Sequence, residues 1–177
     1  MDRLAQGLPV KGVVGTLMTN LAVESAFRAR GIDFFRANVG DRYVLEALSE
    51  RGCELGGEGS GNLLALDKHT TGDGLVSALQ ILQAIRRSGK SLAELVADVA
   101  LMPQVLLNVR LAQDADWKSN KVMADQMHAV TQELGAQGRI LIRASGTEPV
   151  LRIMVEAREG AVAERMAARL VTAAKAA

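Results

Sequence analysis

The chain has 177 residues, 49% of them hydrophobic but only 3% aromatic, so aliphatic side chains and Met must form its cores. The chain has 21 basic and 20 acidic residues, and its basic residues form no continuous run. This argues against nucleic acid as the main partner. A single Cys53 excludes an internal disulfide and fits a reducing compartment. With no apolar signal core and no apolar stretch of membrane-spanning length in the sequence, we expect a cytoplasmic protein of one or two domains, without a membrane partner.

The first hundred residues alternate short apolar runs with amphipathic segments, a pattern that predicts an α/β domain. Gly31 and Gly52 are expected to end the first two helices, and Asp41 is expected to cap the second. Four strands are predicted at 10–17, 32–39, 53–55 and 62–66, with helices at 21–30 and 41–51.

A longer helix follows, which Asp73 is expected to cap and Gly89 to end. Ser91 and Glu94 have the spacing of a capping box for a short helix that runs to about residue 99. The apolar face of the longer helix is predicted to contain Leu75, Ala78, Leu79, Leu82 and Ile85.

Beyond a boundary near 101–103 the order of elements changes. Strands are predicted at 104–111, 139–143 and 150–157, and helices at 117–134 and 161–174. The predicted fold class is therefore α/β plus α+β: a mixed-sheet α/β domain over residues 1–100, followed by a small βαββα domain over residues 101–177.

The turn Arg143-Ala144-Ser145-Gly146-Thr147-Glu148-Pro149 lies between two of these strands. A guanidinium offers paired donors that match phosphate oxygens, and a glycine lets backbone N–H groups approach an anion. We interpret this stretch as a phosphate-binding loop, with an ordinary hairpin turn as the alternative. Glu148 would repel a phosphate, so we expect it to pair with Arg143 or Arg152, or to cap a backbone N–H.

A second loop, Gly56-Gly57-Glu58-Gly59-Ser60-Gly61, contains four glycines and presents a carboxylate and a hydroxyl. These two groups suit sugar hydroxyls, which both donate and accept hydrogen bonds. Glycine-rich turns are common, so a purely structural turn is the alternative interpretation.

Taken in order, the two loops and three further stretches resemble the α-D-phosphohexomutase family, and within it the bacterial phosphoglucosamine mutases. The resemblance extends from about Lys11 to the end of the chain. The stretches that carry it are Gly15-Thr16-Leu17-Met18-Thr19-Asn20, Val39-Gly40-Asp41-Arg42-Tyr43-Val44, Gly57-Glu58-Gly59-Ser60-Gly61, Thr70-Thr71-Gly72-Asp73-Gly74 and Arg143-Ala144-Ser145-Gly146-Thr147-Glu148-Pro149.

The resemblance implies that the chain corresponds to the third and fourth of four family domains, and that it opens inside the first helix of the third. Residues 1–100 would be the sugar-binding domain and residues 101–177 the phosphate-binding domain. The phosphorylated serine and the Asp-Gly-Asp-Gly-Asp-Arg loop that holds Mg²⁺ in the family are not in this sequence. We therefore expect the full-length protein to be a Mg²⁺-dependent isomerase acting on glucosamine phosphates, for amino-sugar and peptidoglycan precursors. This chain alone would be inactive and bind no metal, with the missing domains and a phosphosugar as its partners.

Individual site residues also follow from the resemblance. It assigns phosphate binding to Arg143, Ser145, Gly146 and Thr147, and sugar binding to Glu58, Ser60 and Asn62, with Arg42 facing the cleft. The family most often carries His where this chain has Asn62, and an amide cannot titrate. For Asp41 and Arg42, a helix cap followed by a surface residue is an equally open alternative.

Other polar residues give no indication of a second kind of chemistry. His69 and His128 are far apart in the sequence and belong to no metal-ligand pattern, and Cys53 has no evident catalytic partner. The alternative function is a stand-alone phosphosugar-binding or partner-binding module without catalysis, and a degenerate protein of purely structural value is a third possibility.

Overall fold

The computed structural model describes residues 2–111, 117–145 and 148–176. The chain divides into two compact units, residues 1–100 and residues 101–177. Each unit has its own sheet and its own hydrophobic core.

The first unit contains a mixed four-stranded sheet in the order β2-β1-β3-β4. The central strand β1 pairs in parallel with both β2 and β3, and β4 pairs antiparallel with β3. The mixed-sheet α/β prediction is confirmed. Its elements are α1 (Asp2–Ala5), β1 (Gly12–Thr16), α2 (Leu21–Arg28), β2 (Asp33–Ala37), α3 (Asp41–Arg51), β3 (Leu55–Gly57), β4 (Leu63–Ala65), α4 (Gly74–Ser88) and α5 (Leu92–Val96).

Two apolar clusters hold helices against this sheet. Val14 packs with Val44 and Leu48 of α3, and all three side chains are fully buried. The neighbouring Val13 belongs to a second cluster, against which Phe27 of α2 packs. Because successive strand residues point to opposite faces, α2 and α3 cover opposite faces of the sheet. Every residue of β1 is accordingly buried.

The helix ends test the capping predictions. Asp73 accepts hydrogen bonds from the backbone N–H groups of the two residues after Gly74, and the Ser91–Glu94 capping box is present. Gly52 and Gly89 end their helices in the left-handed region, as predicted.

Several boundary predictions in this unit were wrong, among them the end of the short helix α5, which runs to Val96 and not to about residue 99. Asp41 is the first residue of α3 and not its cap, because Gly40, at φ 129°, precedes the helix in a conformation that glycine adopts readily. The Asp41 carboxylate accepts a hydrogen bond from the Arg42 N–H, where an acidic group also favours the helix dipole. Helix α2 ends at Arg28 and not at residue 30, and the turn that follows leads to Gly31.

The second unit is an antiparallel three-stranded sheet in the order β5-β7-β6, which confirms the predicted βαββα module. Helices α6 and α7 pack on the sheet face that contains Leu151, Ile153 and Val155. Its elements are β5 (Gln104–Arg110), α6 (Lys121–Leu134), a single 3₁₀ turn (Gly135–Gln137), β6 (Gly138–Ala144), β7 (Val150–Ala157) and α7 (Gly160–Lys175).

The start of α6 was predicted four residues too early. Residues 117–119 form a turn, and Asn120 caps the helix by accepting a hydrogen bond from the Met123 N–H. An Asn side chain competes well for the first free N–H groups of a helix, which fixes the start at Lys121.

One charged side chain is completely buried in this unit. Glu156 of β7 has no exposed surface, and its carboxylate accepts hydrogen bonds from Arg139 Nε at 2.5 Å and from Gln104 Nε2 at 2.7 Å. Gln104, Glu156 and Arg139 are direct cross-strand partners, so one row joins all three strands.

We predict that Glu156→Gln destabilises the protein by about 3 kcal/mol, because it replaces the ion pair between Arg139 and a fully buried carboxylate with a neutral contact. Urea unfolding at pH 7 measures the change. The control is Asp125→Asn, which breaks the exposed pair with Lys121 and should cost less than about 0.5 kcal/mol. Equal effects of the two substitutions would contradict the structural importance of the buried row.

Candidate functional site

The parallel strands of the first unit bring three loops to one edge of the sheet. Strands β1, β2 and β3 run in the same direction, so the segments that follow Thr16, Ala37 and Gly57 lie at their common carboxyl end. Open α/β sheets bind ligands at this edge. Residues 17–20, the start of α3 and residues 58–62 are therefore neighbours in the fold, although they are far apart in the sequence.

The glycine loop is a tight connection between β3 and β4, and its first glycines belong to the strand. A Cβ on Gly56 would lie 2.8 Å from Val44 Cγ1 and 2.9 Å from the Val14 carbonyl oxygen. A Cβ on Gly57 would lie 2.7 Å from the carbonyl oxygen of Asn62. These two glycines are thus required by close packing of the strand against α3 and of the loop against itself.

Backbone hydrogen bonds close the loop. The Glu58 N–H donates to the Asn62 carbonyl at 3.0 Å, and the Gly61 N–H donates to the Glu58 carbonyl at 3.1 Å. Gly61 has a φ of 104°, which a side chain would strain. The loop therefore presents Glu58, Ser60 and Asn62 from a closed turn.

Asn62 contacts Glu58 directly. Its Nδ2 donates to Glu58 Oε1 at 3.1 Å, while Glu58 is half-buried and both Ser60 and Asn62 are exposed. The other carboxylate oxygen, Oε2, accepts no hydrogen bond from any residue that the structure describes. The amide of Asn62 therefore contacts one oxygen of the carboxylate, a task that needs no titratable group.

Arg42 lies in the first turn of α3, at the same sheet edge. Its guanidinium is 81% exposed and donates from Nε to Glu46 Oε1 at 2.8 Å. The hydrogen bond from Arg42 to Glu46 raises the pKa of Arg42. Within the described ranges, no hydrogen bond joins Arg42 to the glycine loop. Arg42 therefore lies at the same sheet edge as Glu58 but does not contact it through a hydrogen bond.

Asp73 serves as a cap and not as part of this loop cluster. Hydrogen bonds from the Val76 and Leu75 N–H groups lower the pKa of its carboxyl. His69 lies nearby in the sequence, and its Nδ1 contacts the Thr71 hydroxyl at 3.2 Å. Both contacts are local, as expected for residues that shape a turn.

Arg36 is a residue that the sequence analysis missed. Its Nη1 donates to the carbonyls of Thr16 at 3.0 Å and Thr19 at 2.7 Å, and its Nη2 pairs with Glu24 at 2.7 Å. Arg36 thus fixes the backbone of the loop at 17–20. The available signal was a basic residue inside the apolar run of β2, which indicates a buried ion pair.

In the second unit, the predicted phosphate loop connects β6 to β7. Arg143 lies near the end of β6, and the Ser145 N–H donates to the Val150 carbonyl at 2.7 Å. Gly146 and Thr147 lie outside the described residues. The structure therefore tests only the two ends of this loop, which the β6–β7 pairing holds close together.

The pairing register adds a residue to this site. Arg143 of β6 is the direct cross-strand partner of Arg152 of β7, so both lie on the same sheet face. The predicted pairing of Glu148 with either arginine is not observed, and neither guanidinium makes an ion pair with any described residue. Two neighbouring positive groups remain available at the end of the loop. The sequence signal for Arg152 was its place two residues after Val150, on the face opposite the core.

The described part of the chain holds no group of three or more His, Cys, Asp or Glu residues that could bind a metal ion. Within the same residues, no helix has the length and apolarity needed to cross a membrane.

Comparison with known proteins identifies the family. Residues 1–102 match the family model described as phosphoglucomutase/phosphomannomutase, alpha/beta/alpha domain III, and residues 106–173 match the C-terminal domain of the same family. The chain belongs to the phosphoglucomutase/phosphomannomutase family. It corresponds to the third and the C-terminal domain of that family.

The chain is also similar over nearly its whole length to curated proteins named phosphoglucosamine mutase. A phosphoglucosamine mutase from Leptothrix cholodnii is 64% identical over 98% of this chain, and one from an Acidovorax species is 65% identical over the same share. In both cases the match covers 39% of the relative, so the chain spans about two fifths of their length.

Solved structures support the fold. An N-acetylphosphoglucosamine mutase from Aspergillus fumigatus, determined in complex with GlcNAc-6P and magnesium, matches 97% of this chain and 44% of its own with a TM-score of 0.77. A phosphoglucomutase/phosphomannomutase family protein from Burkholderia thailandensis matches 99% of this chain and 39% of its own with a TM-score of 0.72. Each is 20% identical to this chain.

We predict that Gly57→Ala distorts the glycine loop, whereas Gly59→Ala does not. The added methyl group at position 57 would collide with the backbone of Asn62, while a Cβ at position 59 meets nothing within 4 Å. The expected cost of Gly57→Ala is about 1–3 kcal/mol, against less than about 0.5 kcal/mol for Gly59→Ala.

Urea unfolding measures both values, and amide chemical shifts of Glu58 and Asn62 report the loop geometry. If Gly57→Ala left both the stability and these shifts unchanged, the close approach of the loop to the strand would be disproved.

Proposed function

We propose that this chain is the substrate-positioning half of a phosphoglucosamine mutase, which interconverts glucosamine 6-phosphate and glucosamine 1-phosphate. Relatives of that name at 64–65% identity across 98% of the chain are the observation that carries the proposal. The whole enzyme would be an isomerase whose net result is to change the position of the phosphate on the sugar.

The edge of the first unit would bind the sugar ring. The free oxygen of Glu58 accepts from a ring hydroxyl or an ammonium group, and the Ser60 hydroxyl both donates and accepts. Asn62 keeps the carboxylate in place through its hydrogen bond to Oε1. A fixed carboxylate loses less conformational entropy when the sugar binds.

Arg42 would join the sugar site from the start of α3. Its pair with Glu46 is exposed, so exchanging that partner for a ligand costs little. An Arg side chain also has the reach to contact either a hydroxyl or a phosphate oxygen near the sheet edge.

The second unit would bind the phosphate that does not react. Arg143 offers paired N–H donors, Ser145 a hydroxyl, and Gly146 and Thr147 the backbone and side-chain donors of a loop. Arg152, as the cross-strand partner of Arg143, adds a second guanidinium on the same face. Charge-assisted hydrogen bonds of this kind are the strong ones in phosphate recognition.

This division of tasks suits a mutase. In the family's scheme, a serine phosphate gives its phosphoryl group to the sugar as the serine–phosphate bond breaks and a new phosphate–oxygen bond forms on the sugar. The bisphosphate then returns its other phosphoryl group to the serine. The donor serine and the Mg²⁺ loop would belong to preceding domains. Residues of this chain would hold the sugar and the idle phosphate in either orientation.

We predict that Arg143→Ala weakens binding of glucosamine 6-phosphate by about ten- to a hundredfold, because a charge-assisted hydrogen bond is lost. Titration followed by amide chemical shifts measures the dissociation constant. Arg158→Ala is the control, since Arg158 follows β7 at its other end and should leave affinity unchanged. Unchanged affinity in Arg143→Ala, with shifts that spare Ser145, would place the phosphate elsewhere.

We also predict that the 177-residue chain alone shows no mutase turnover, because the phosphoryl donor is missing. A coupled assay with glucosamine 6-phosphate should remain at background. Joining the chain to the preceding domains of the Leptothrix cholodnii relative should restore activity, and Arg143→Ala should reduce it again. Turnover by the chain alone that persists after removal of host enzyme and disappears in Arg143→Ala would contradict the proposal.

A further inference from the structure

Three arginines share one face of the second unit's sheet at the same end. Arg143 and Arg152 are direct cross-strand partners, and Arg152 also pairs with Asn108 of the edge strand β5. Arg110, two residues further along β5, pairs with Val150 and lies on the same face. Arg110 and Arg152 are therefore diagonal neighbours, with about 7–8 Å between their backbones.

The charge balance of this face changes from one end to the other. Arg139, at the far end, has a buried carboxylate partner in Glu156. Arg110, Arg143 and Arg152 have no ion pair with any residue of the described ranges. Like charges at such spacing destabilise each other, and no ion pair between described residues offsets this repulsion.

The position of Arg110 distinguishes it from the other two. It is exposed on the edge strand, and the next residue, Leu111, donates its N–H to the carbonyl of Pro149 at the end of the phosphate loop. Arg110 therefore lies at the same end of the sheet as the loop, on the strand that flanks β7 on the side opposite to β6.

We infer that Arg110 determines the charge class of the ligand, so that the site selects a doubly ionised phosphate monoester over a singly charged anion of the same shape. This inference rests on the proposed phosphate site. A phosphate monoester carries nearly two negative charges at neutral pH, because its second pKa is about 6. Arg143 and Arg152, on β6 and on the central strand β7, can donate to one face of the phosphate, and the third positive charge of Arg110 further favours a doubly charged anion.

A sulfate ester provides the matched probe, since it has the same tetrahedral shape and a single charge at neutral pH. Amide shift titration at pH 7.5 gives the dissociation constants of glucosamine 6-phosphate and glucosamine 6-sulfate. Both constants are measured for the wild-type chain and for the variants Arg110→Gln, Arg110→Lys and Arg158→Gln. The measured quantity is the ratio of the two constants, which is insensitive to a general change in affinity.

We expect the wild type to prefer the phosphate ester, and Arg110→Gln to reduce that preference about fivefold through weaker phosphate binding alone. Arg110→Lys, which keeps the charge, should restore most of the preference. Arg158→Gln, which removes the same charge from the other end of β7, should leave the ratio unchanged.

The outcomes separate the inference from the proposal beneath it. Wild-type phosphate binding with an unchanged ratio in Arg110→Gln overturns the inference alone, as does an equal fall in Arg158→Gln, which would indicate only net charge. A wild-type chain that binds neither ester overturns the proposed phosphate site as well. If Arg110→Gln loses its native amide spectrum, the test rests on Arg110→Lys. A ratio of the two constants in Arg110→Lys that is well below the wild-type ratio overturns the inference.

Discussion

The parallel pairing of β1 with β2 and β3 is the constraint on which the proposed sugar site depends. Strands that run in one direction must end at one edge, so the three following loops meet there whatever their own sequences. The buried run of β1 sets this arrangement, because α2 and α3 must cover both of its faces. Gly56 lets β3 approach α3 closely enough to hold the glycine loop beside the start of that helix. Packing of the core therefore determines where the polar groups of these loops lie.

The proposed phosphate site depends in the same way on the antiparallel register of β6 and β7. A shift of one residue would exchange the faces of the strand and bury Arg152 among the aliphatic residues of α6 and α7. The core residues Leu151, Ile153 and Val155 prevent that shift, since each is fully buried. The same alternation that drives burial on one face therefore places charged groups on the other, where the loop can use them.

Local chemistry made much of this predictable from the sequence. The Asp73 cap and the Ser91–Glu94 box follow from short-range competition for free N–H groups, and both are confirmed. The errors occur where the geometry of the neighbouring backbone determines where a helix starts. Gly40, and not Asp41, is the N-cap of α3, and Asn120 is the N-cap of α6, so that this helix starts after Trp117. Arg36 and Arg152 could not be assigned from composition, because their importance depends on strand register and on carbonyls twenty residues away.

The carboxylates of Glu156 and Glu58 differ in how many of their oxygens accept hydrogen bonds from the described residues. Glu156 is enclosed, and both of its oxygens have partners within the sheet, so it stabilises the fold and offers nothing to a ligand. Asn62 occupies one oxygen of the half-buried Glu58 and leaves the other available. A carboxylate with both oxygens bonded stabilises the sheet, whereas Glu58 has one oxygen that no described residue bonds. The arginines differ in the same way, since Arg139 is paired inside the sheet and Arg143 has no ion pair with any described residue. A guanidinium that the fold leaves unneutralised is a better indication of a binding surface than the presence of a charge by itself.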